Sequence, residues 1–247
     1  MQVLTFDFHN TLANCDPWFD LEVRDLPWAV IEHLDLKRGD STRDKVERVY
    51  RQLRLDVIAS GDEIDAYDSV SQVLSRLGMI APRTALEAAV DSLMLLAMDS
   101  MMPVPGAADT VRFLHADGVP MGVVSSAVHH QTLNWILERM GIDRCFQAVV
   151  TSASSGFYKS SPAIYDAALR ELGGAAKGSV HVGDSLRWDV AMSHRAGMTA
   201  AWLKSPRREF FSAPDFTATP SLTLASMEQA GPLLVELLEH LRIPARV

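Results

Sequence analysis

Residues 3–12 read VLTFDFHNTL, and this stretch decides the fold class. The run from Val3 to Phe6 is typical of a buried strand, and it ends at the carboxylate of Asp7. Burying a carboxylate is costly unless a cation meets it, so this position predicts a metal or ligand site. Side chains alternate in an extended segment, which predicts that Asp7 and His9 face the same side. We interpret Asp7 as a nucleophile and His9 as its proton-transfer partner, although an aspartate that only caps a turn would explain Asp7 alone.

Four more apolar runs along the chain alternate with helical patterns. The predicted strands are 120–124, 148–151, 179–182 and 199–203, and the predicted helices are 107–116, 131–140, 163–172 and 227–241. This alternation predicts an α/β fold with a doubly wound, Rossmann-like parallel sheet and right-handed crossovers. Ligands bind at the C-terminal edge of such sheets, so we expect Asp7, Ser125 and Asp184 to be neighbours.

The segment 16–102 breaks this rhythm because its apolar residues repeat with a helical period. It predicts a helical insertion, with an α/β core formed by residues 1–15 and 103–247. Pro103-Val104-Pro105-Gly106 is predicted to return the chain to the core as a stiff hinge. The Pro-, Ser- and Thr-rich stretch 205–220 is predicted to be a loop.

Two polar motifs follow predicted strands and are weak signals when taken singly. Ser125 and Ser126 end a strand before a helix predicted to start near Val128, where hydroxyl and backbone N–H groups suit phosphate oxygens. A serine before a helix is more often only an N-cap. Lys159 stands just before another helix, where an ammonium could stabilise Asp7 and a charged transition state, although a lone surface lysine is more often solvated.

Asp184 and Asp189 flank a predicted strand-to-helix turn in the stretch HVGDSLRWD at 181–189. Carboxylate oxygens are the ligands that Mg²⁺ prefers, and the ion commonly bridges carboxylate and phosphate. We therefore expect Asp184 to bind Mg²⁺ together with Asp7, while Asp189 supports the site through a water or a hydrogen bond. An aspartate that merely decorates a helix start would explain Asp189 but would leave Asp184 without a role.

Taken in chain order, these motifs resemble those of the haloacid dehalogenase superfamily. They comprise an Asp-x-x-x-Thr loop at the first strand, Ser125 after the second, Lys159 before a helix, and Gly-Asp followed by Asp189. The resemblance covers residues 1–15 and 103–205, and the insertion resembles the helical C1-type cap of that family.

The resemblance implies a Mg²⁺-dependent phosphatase that forms an aspartyl-phosphate on Asp7 and acts on a small phosphorylated molecule. It implies that Asp7, the backbone carbonyl of His9 and Asp184 bind the metal, with Asp189 in support. Thr11 would assist the nucleophile loop, Ser125, Ser126 and Lys159 would hold the phosphoryl group, and the cap would select the substrate.

The sequence departs from the family pattern at several positions. His9 stands where phosphatases of the family usually carry a second aspartate, and imidazole can act as acid and base near neutral pH. Next to Mg²⁺ its pKa would instead fall, which would make it a poor acid. Asn10 replaces a glycine and tolerates the left-handed backbone. Ser126 stands in place of Asn, and Ser160-Ser161 in place of Pro-Asp.

Two other functions compete with the phosphatase interpretation. A metal-independent dehalogenase would use the same carboxylate to displace halide, but Asp184 and Asp189 would then have no role. A binding or regulatory protein could keep the fold and have lost turnover through the change at His9.

Composition narrows the class of protein further. The 247 residues carry a formal net charge of −8, which argues against a nucleic-acid partner. The sequence contains no apolar run of about 20 residues, which predicts no membrane span. Two cysteines are too few for a disulfide framework, and the N-terminus lacks a basic leader, so we expect a cytoplasmic protein. We also expect it to be a monomer or a homodimer.

Overall fold

A six-stranded parallel sheet forms the centre of the computed structural model, which describes residues 1–36, 42–204 and 218–242. Its strands are β1 (Leu4–Phe6), β4 (Met121–Ser125), β5 (Ala148–Thr151), β6 (Val180–Gly183), β7 (Thr199–Leu203) and β8 (Leu222–Leu224), in the order β5-β4-β1-β6-β7-β8. The predicted α/β fold with a doubly wound parallel sheet is therefore confirmed. The five predicted strands are present within one residue at each end, and β8 was not predicted.

Strand β1 lies between β4 and β6. Asp7, which follows β1, therefore lies beside the C-terminal ends of both neighbouring strands. Phe6 is aligned with Val123 on one side and with Val182 on the other. Leu4 and Phe6 are fully buried and pack in one hydrophobic cluster, whereas Val3 packs in a second. Because both faces of the sheet are covered, its strands appear in the sequence as unbroken apolar runs.

Helices cover the sheet. Those of the core are α6 (Ala107–Ala116), α7 (His130–Met140), α8 (Ser152–Ser155), α9 (Ala163–Glu171), α10 (Ala191–Arg195) and α11 (Ala230–His240), with short 3₁₀ or π turns at Asp143–Cys145, Leu186–Val190 and Met227–Gln229. The first three predicted helices match α6, α7 and α9 closely. The last begins three residues later than predicted, because Pro232 has no N–H group and fits only in a first helical turn.

Between β1 and α6 the chain forms a two-stranded ribbon and a group of helices. The antiparallel ribbon joins β2 (Ala13–Asn14) to β3 (Met102–Pro103). Between these strands lie α1 (Asp16–Asp20), a π turn at Leu21–Asp25, α2 (Leu26–His33), α3 (Arg43–Ser60), α4 (Ala66–Arg76) and α5 (Arg83–Met98). Trp18 of the insertion is buried and packs edge-on against Phe8, with ring centroids 5.6 Å apart. This tryptophan is therefore part of the hydrophobic core.

Most of the loop predicted at 205–220 lies outside the described residues. Among the helices that the structure describes, none combines the length and the apolar character needed to cross a lipid bilayer.

Candidate active site

Three carboxylates from two distant segments meet at the C-terminal edge of the sheet. Asp7 follows β1 directly, Asp184 follows β6, and Asp189 lies in the π turn beyond it. One carboxylate oxygen of each lies within 4.8 Å of the others. The Asp7 backbone N–H donates to the Val182 carbonyl over 2.8 Å, which continues the β1–β6 ladder to the site.

Lys159 binds two of these carboxylates at once. Its Nζ donates to Asp7 Oδ1 over 2.5 Å and to Asp189 Oδ1 over 2.7 Å. The lysine is 3% exposed, so the predicted alternative of a solvated surface residue is wrong. The second Asp7 oxygen, Oδ2, accepts a hydrogen bond from the Thr11 hydroxyl over 3.1 Å. Both oxygens of the candidate nucleophile are thus held by side chains that the sequence had singled out.

Asp189 is fixed at both of its oxygens. Oδ1 also contacts His181 Nε2 at 3.2 Å, and Oδ2 accepts the Ser185 backbone N–H over 2.9 Å. A Cβ atom at position 183 would lie only 2.2 Å from Asp189 Cγ, so only glycine fits before Asp184. The glycine of the Gly-Asp pair is therefore required for steric reasons.

The cluster carries more negative than positive charge. Among the described residues that form it, three carboxylates share one ammonium. Burial raises the pKa of Asp184, and the charges of Asp7 and Asp189 raise it further. Burial also raises the pKa of Asp7 despite Lys159. For Asp189, the burial effect is outweighed by Lys159 and His181, which hold its pKa below the usual range. This surplus of hard oxygen donors fits a divalent cation such as Mg²⁺.

His9 and Asn10 form the turn after Asp7. Asn10 has a φ of 65°, which confirms the expected left-handed backbone, and its side chain lies near Asp184. The His9 ring stacks on Phe19 of α1, with centroids 4.9 Å apart and an interplanar angle of 17°. The predicted proton-transfer partner therefore contacts the helical insertion as well as following the nucleophile in sequence.

Ser125 and Ser126 lie at the end of β4, as predicted. Ser125 is buried, and Ser126 lies near the side chain of Tyr158, the neighbour of Lys159. Helix α7 begins at His130, within one residue of the predicted range 131–140 but two residues after the start near Val128 expected from the serine motif. The Val128 N–H donates to Glu22 Oε1 over 2.9 Å. The backbone donor proposed for phosphate is therefore taken by a carboxylate of the insertion.

Sequence reasoning missed a second group of buried polar residues beside the site. Glu22 from the insertion lies near the ion pair of Arg54 and Glu63, whose Nη1 and Oε1 atoms are 2.6 Å apart. Arg54 also lies over the Tyr158 ring at 5.7 Å. No local pattern marks these residues, because their contacts join segments far apart in sequence.

A model of the haloacid dehalogenase-like hydrolases matches residues 1–197. The chain is 27% identical over 204 residues to the glyceraldehyde 3-phosphate phosphatase of Methanopyrus kandleri, covering 83% of this chain and 84% of that protein. It is 32% identical over 109 residues to the enzyme of the same name from Methanothermobacter thermautotrophicus, covering 44% of this chain and only 48% of that relative.

Among solved structures, a 2-haloacid dehalogenase from Pseudomonas syringae pv. Tomato is similar in fold, with a TM-score of 0.64 and 19% identity. The match covers 96% of this chain and 99% of that one. Fold similarity at this identity does not separate dehalogenases from phosphatases. The family model spans most of the chain and includes all the clustered acidic residues. This chain belongs to the haloacid dehalogenase-like hydrolases.

Proposed function

We propose that this hydrolase is a Mg²⁺-dependent phosphatase that cleaves small phosphoric monoesters through an aspartyl-phosphate on Asp7. The observation that carries the proposal is the surplus of carboxylates around a nucleophile that Lys159 and Thr11 orient. The phosphatases among its relatives support the same reaction class.

Asp7 supplies the nucleophile in the first step. A carboxylate oxygen of Asp7 forms a bond to phosphorus while the ester P–O bond breaks, and His9 donates a proton to the departing alkoxide. In the second step, His9 accepts a proton from water as the water oxygen bonds to phosphorus. The bond between phosphorus and Asp7 then breaks, which releases phosphate and restores the carboxylate.

Lys159 and the serines position the group that is transferred. The Lys159 ammonium is already held between Asp7 and Asp189, so it neutralises charge near phosphorus with little reorganisation. Thr11 keeps one Asp7 oxygen oriented, and Ser125 and Ser126 offer hydroxyls for phosphoryl oxygens. Positioning and charge neutralisation dominate this class of reaction.

The carboxylates would hold the metal. Asp7, the His9 backbone carbonyl and Asp184 are the proposed ligands, and Asp189 supports them through its contact with Lys159. When bound, Mg²⁺ would neutralise charge on the phosphoryl group and on the carboxylates.

We also propose that residues 16–102 act as a cap that selects the substrate over a core of 1–15 and 103–247. The stacking of Phe19 on His9 supports direct contact between the cap and a proposed catalytic residue.

A cytoplasmic location is supported by the free, buried Cys15 and Cys145. A monomer or homodimer without a nucleic-acid partner is consistent with the net charge of −8.

The test is a phosphate-release screen over small phosphate esters, including glyceraldehyde 3-phosphate, with Mg²⁺ or with EDTA. Wild type is compared with Asp7→Asn, with His9→Ala and with Asp109→Asn, a matched control on a surface aspartate whose side chain is 88% exposed. We expect Asp7→Asn and EDTA to abolish release, and His9→Ala to slow it by ~10². Equal rates for wild type and His9→Ala would remove the imidazole from the mechanism.

A parallel halide-release assay on 2-haloacids separates the dehalogenase alternative. Halide release that persists in EDTA, without phosphate release from any ester, would contradict the proposal. Mg²⁺ binding without any turnover would favour a binding or regulatory protein.

A further inference from the structure

His181 is a fully buried imidazole that lies beneath the carboxylate cluster and has no part in the proposed steps. It occupies β6, aligned with Thr5 of β1. Its Nδ1 lies 2.9 Å from Thr5 Oγ1, and its Nε2 lies 3.2 Å from Asp189 Oδ1. The Tyr165 ring meets it edge-on, with centroids 4.9 Å apart. A buried histidine with both ring nitrogens in contact has a defined orientation.

The partners of His181 determine which nitrogen carries the proton. An ionised carboxylate only accepts hydrogen bonds, so Nε2 must donate to Asp189. Burial lowers the pKa of His181 and the Lys159 charge lowers it further, against the hydrogen bond with Asp189, and this balance favours a neutral ring. Nδ1 is then an acceptor, and the Thr5 hydroxyl must donate to it. The other acceptor near that hydroxyl, the Val180 carbonyl, is 3.5 Å away and competes poorly.

These contacts form a continuous chain from the strand interior to the nucleophile. Thr5 orients His181, His181 donates to Asp189, and Asp189 receives Lys159 on the same oxygen that His181 contacts. Lys159 in turn donates to Asp7. Oδ1 of Asp189 accepts from both groups, so loss of the imidazole leaves that carboxylate with two of its three contacts, Lys159 and the Ser185 N–H, and less restricted in rotation.

We propose that His181, oriented by Thr5, is a positioning residue that fixes Asp189 and thereby holds Lys159 against Asp7. This inference rests on the proposed phosphatase function, because Lys159 and Asp7 act in that reaction. Partners of this indirect kind typically contribute 10- to 100-fold to the activity of a site.

The kinetic test compares His181→Leu, His181→Gln and Thr5→Val in the full chain. His181→Leu should lower kcat by about 10- to 100-fold and leave KM nearly unchanged, since the substrate is not contacted. His181→Gln should recover much of that loss, because its amide can still donate to Asp189. Thr5→Val should have a smaller effect than His181→Leu, because Nε2 can still donate.

A matched control is His130→Leu, because His130 Nδ1 also contacts a threonine hydroxyl, that of Thr151, at 3.1 Å. It should keep a kcat close to that of wild type. Equal losses of kcat in His130→Leu and His181→Leu would overturn the proposal, since they would reflect general damage to the core.

Two further measurements do not depend on turnover. The crystal structure of His181→Leu should show the Asp189 carboxylate rotated and its contact with Lys159 lengthened, and ¹⁵N NMR of wild type should show a neutral His181 protonated at Nε2. An unmoved Asp189 or an Nδ1-protonated ring would overturn the inference. Failure of the proposed function would appear differently, as a wild-type protein that releases no phosphate while Asp189 still moves in the variant.

Discussion

Two buried groups of charges lie side by side in this molecule, and they are neutralised in different ways. At the sheet edge, Lys159 pairs with Asp7 and Asp189, and Asp184 lies beside them. At the seam between insertion and core, defined here by Glu22, Arg54 and Glu63, the ion pair of Arg54 and Glu63 is complete. The remaining carboxylate, Glu22, accepts the Val128 N–H, and burial raises its pKa to about 8. The seam therefore reaches neutrality with a proton.

The sheet edge also takes up a proton, because the pKa of Asp184 is raised to about 8 as that of Glu22 is, but Asp7 and Asp189 then still face one cation, Lys159. Burial raises the pKa of Asp184, and so do the charges of Asp7 and Asp189, an effect that a bound cation would reverse. Retaining unfavourable charge where a ligand can compensate it is typical of functional sites. The seam therefore stabilises the fold, whereas the edge carries the charge that the proposed Mg²⁺ would balance.

The largest expected effect on stability comes from breaking the seam pair. Arg54→Met leaves Glu63 buried without its bidentate partner, and we expect the free energy of unfolding to fall by about 3–5 kcal/mol. Chemical denaturation measures this loss. The double variant Arg54→Met/Glu63→Gln should recover part of it, and a double variant no more stable than the single one would show that the pair is not the cause.

Neutralising Glu22 should stabilise the protein in a manner that depends on pH. The folded-state pKa of about 8 lies above the unfolded value, so ionisation destabilises the fold as pH rises from about 4.5 to 8. Glu22→Gln keeps an acceptor for the Val128 N–H without that cost. We expect a gain of about 2–4 kcal/mol above pH 8 that disappears near pH 4.

Thermal unfolding of wild type and Glu22→Gln across this pH range measures the gain. Asp62→Asn, on an exposed residue of the insertion, serves as the matched control. A gain that does not change with pH would mean that Glu22 is not protonated in the folded state at neutral pH.

The smallest effect on stability is expected at the sheet edge. In EDTA above pH 8, where Asp184 is ionised, Asp184→Asn removes surplus charge and should raise the free energy of unfolding by about 1–2 kcal/mol. With Mg²⁺ present, the variant should release no phosphate. Addition of Mg²⁺ should stabilise wild type more than this variant. Scanning calorimetry with and without Mg²⁺ gives both values, and equal stabilisation of the two proteins would exclude Asp184 as a ligand.

Most of the fold was predictable because buried parallel strands appear as continuous apolar runs. Strands β5 and β7 match their predicted limits, since Ala148–Thr151 and Thr199–Leu203 are apolar except for one terminal threonine in each. Strand β8 escaped because it has only three residues and includes the exposed Thr223 at the sheet margin. A strand this short at the sheet edge buries too few side chains to appear as an apolar run in the sequence.

The convergence of Asp7 and Asp184 was predictable from the topological rule for strand ends, whereas the places of Asp189 and Lys159 in the site followed from the resemblance to the family motifs. Glu22 and His181 were not assigned roles, because the first contacts a residue 106 positions away and the second contacts Thr5 across the sheet, 176 positions away. Such contacts depend on how distant segments pack together, so the identity of a single polar residue does not predict them.

The proposed function depends on a covalent bond between Asp7 and phosphorus, which peptide mass spectrometry after rapid acid quench can detect. With Mg²⁺ and an ester that supports turnover, we predict one phosphoryl group on the peptide that contains Asp7, and none in EDTA or in Asp7→Asn. Steady phosphate release by wild type without any such adduct on Asp7, at every quench time, would contradict the account.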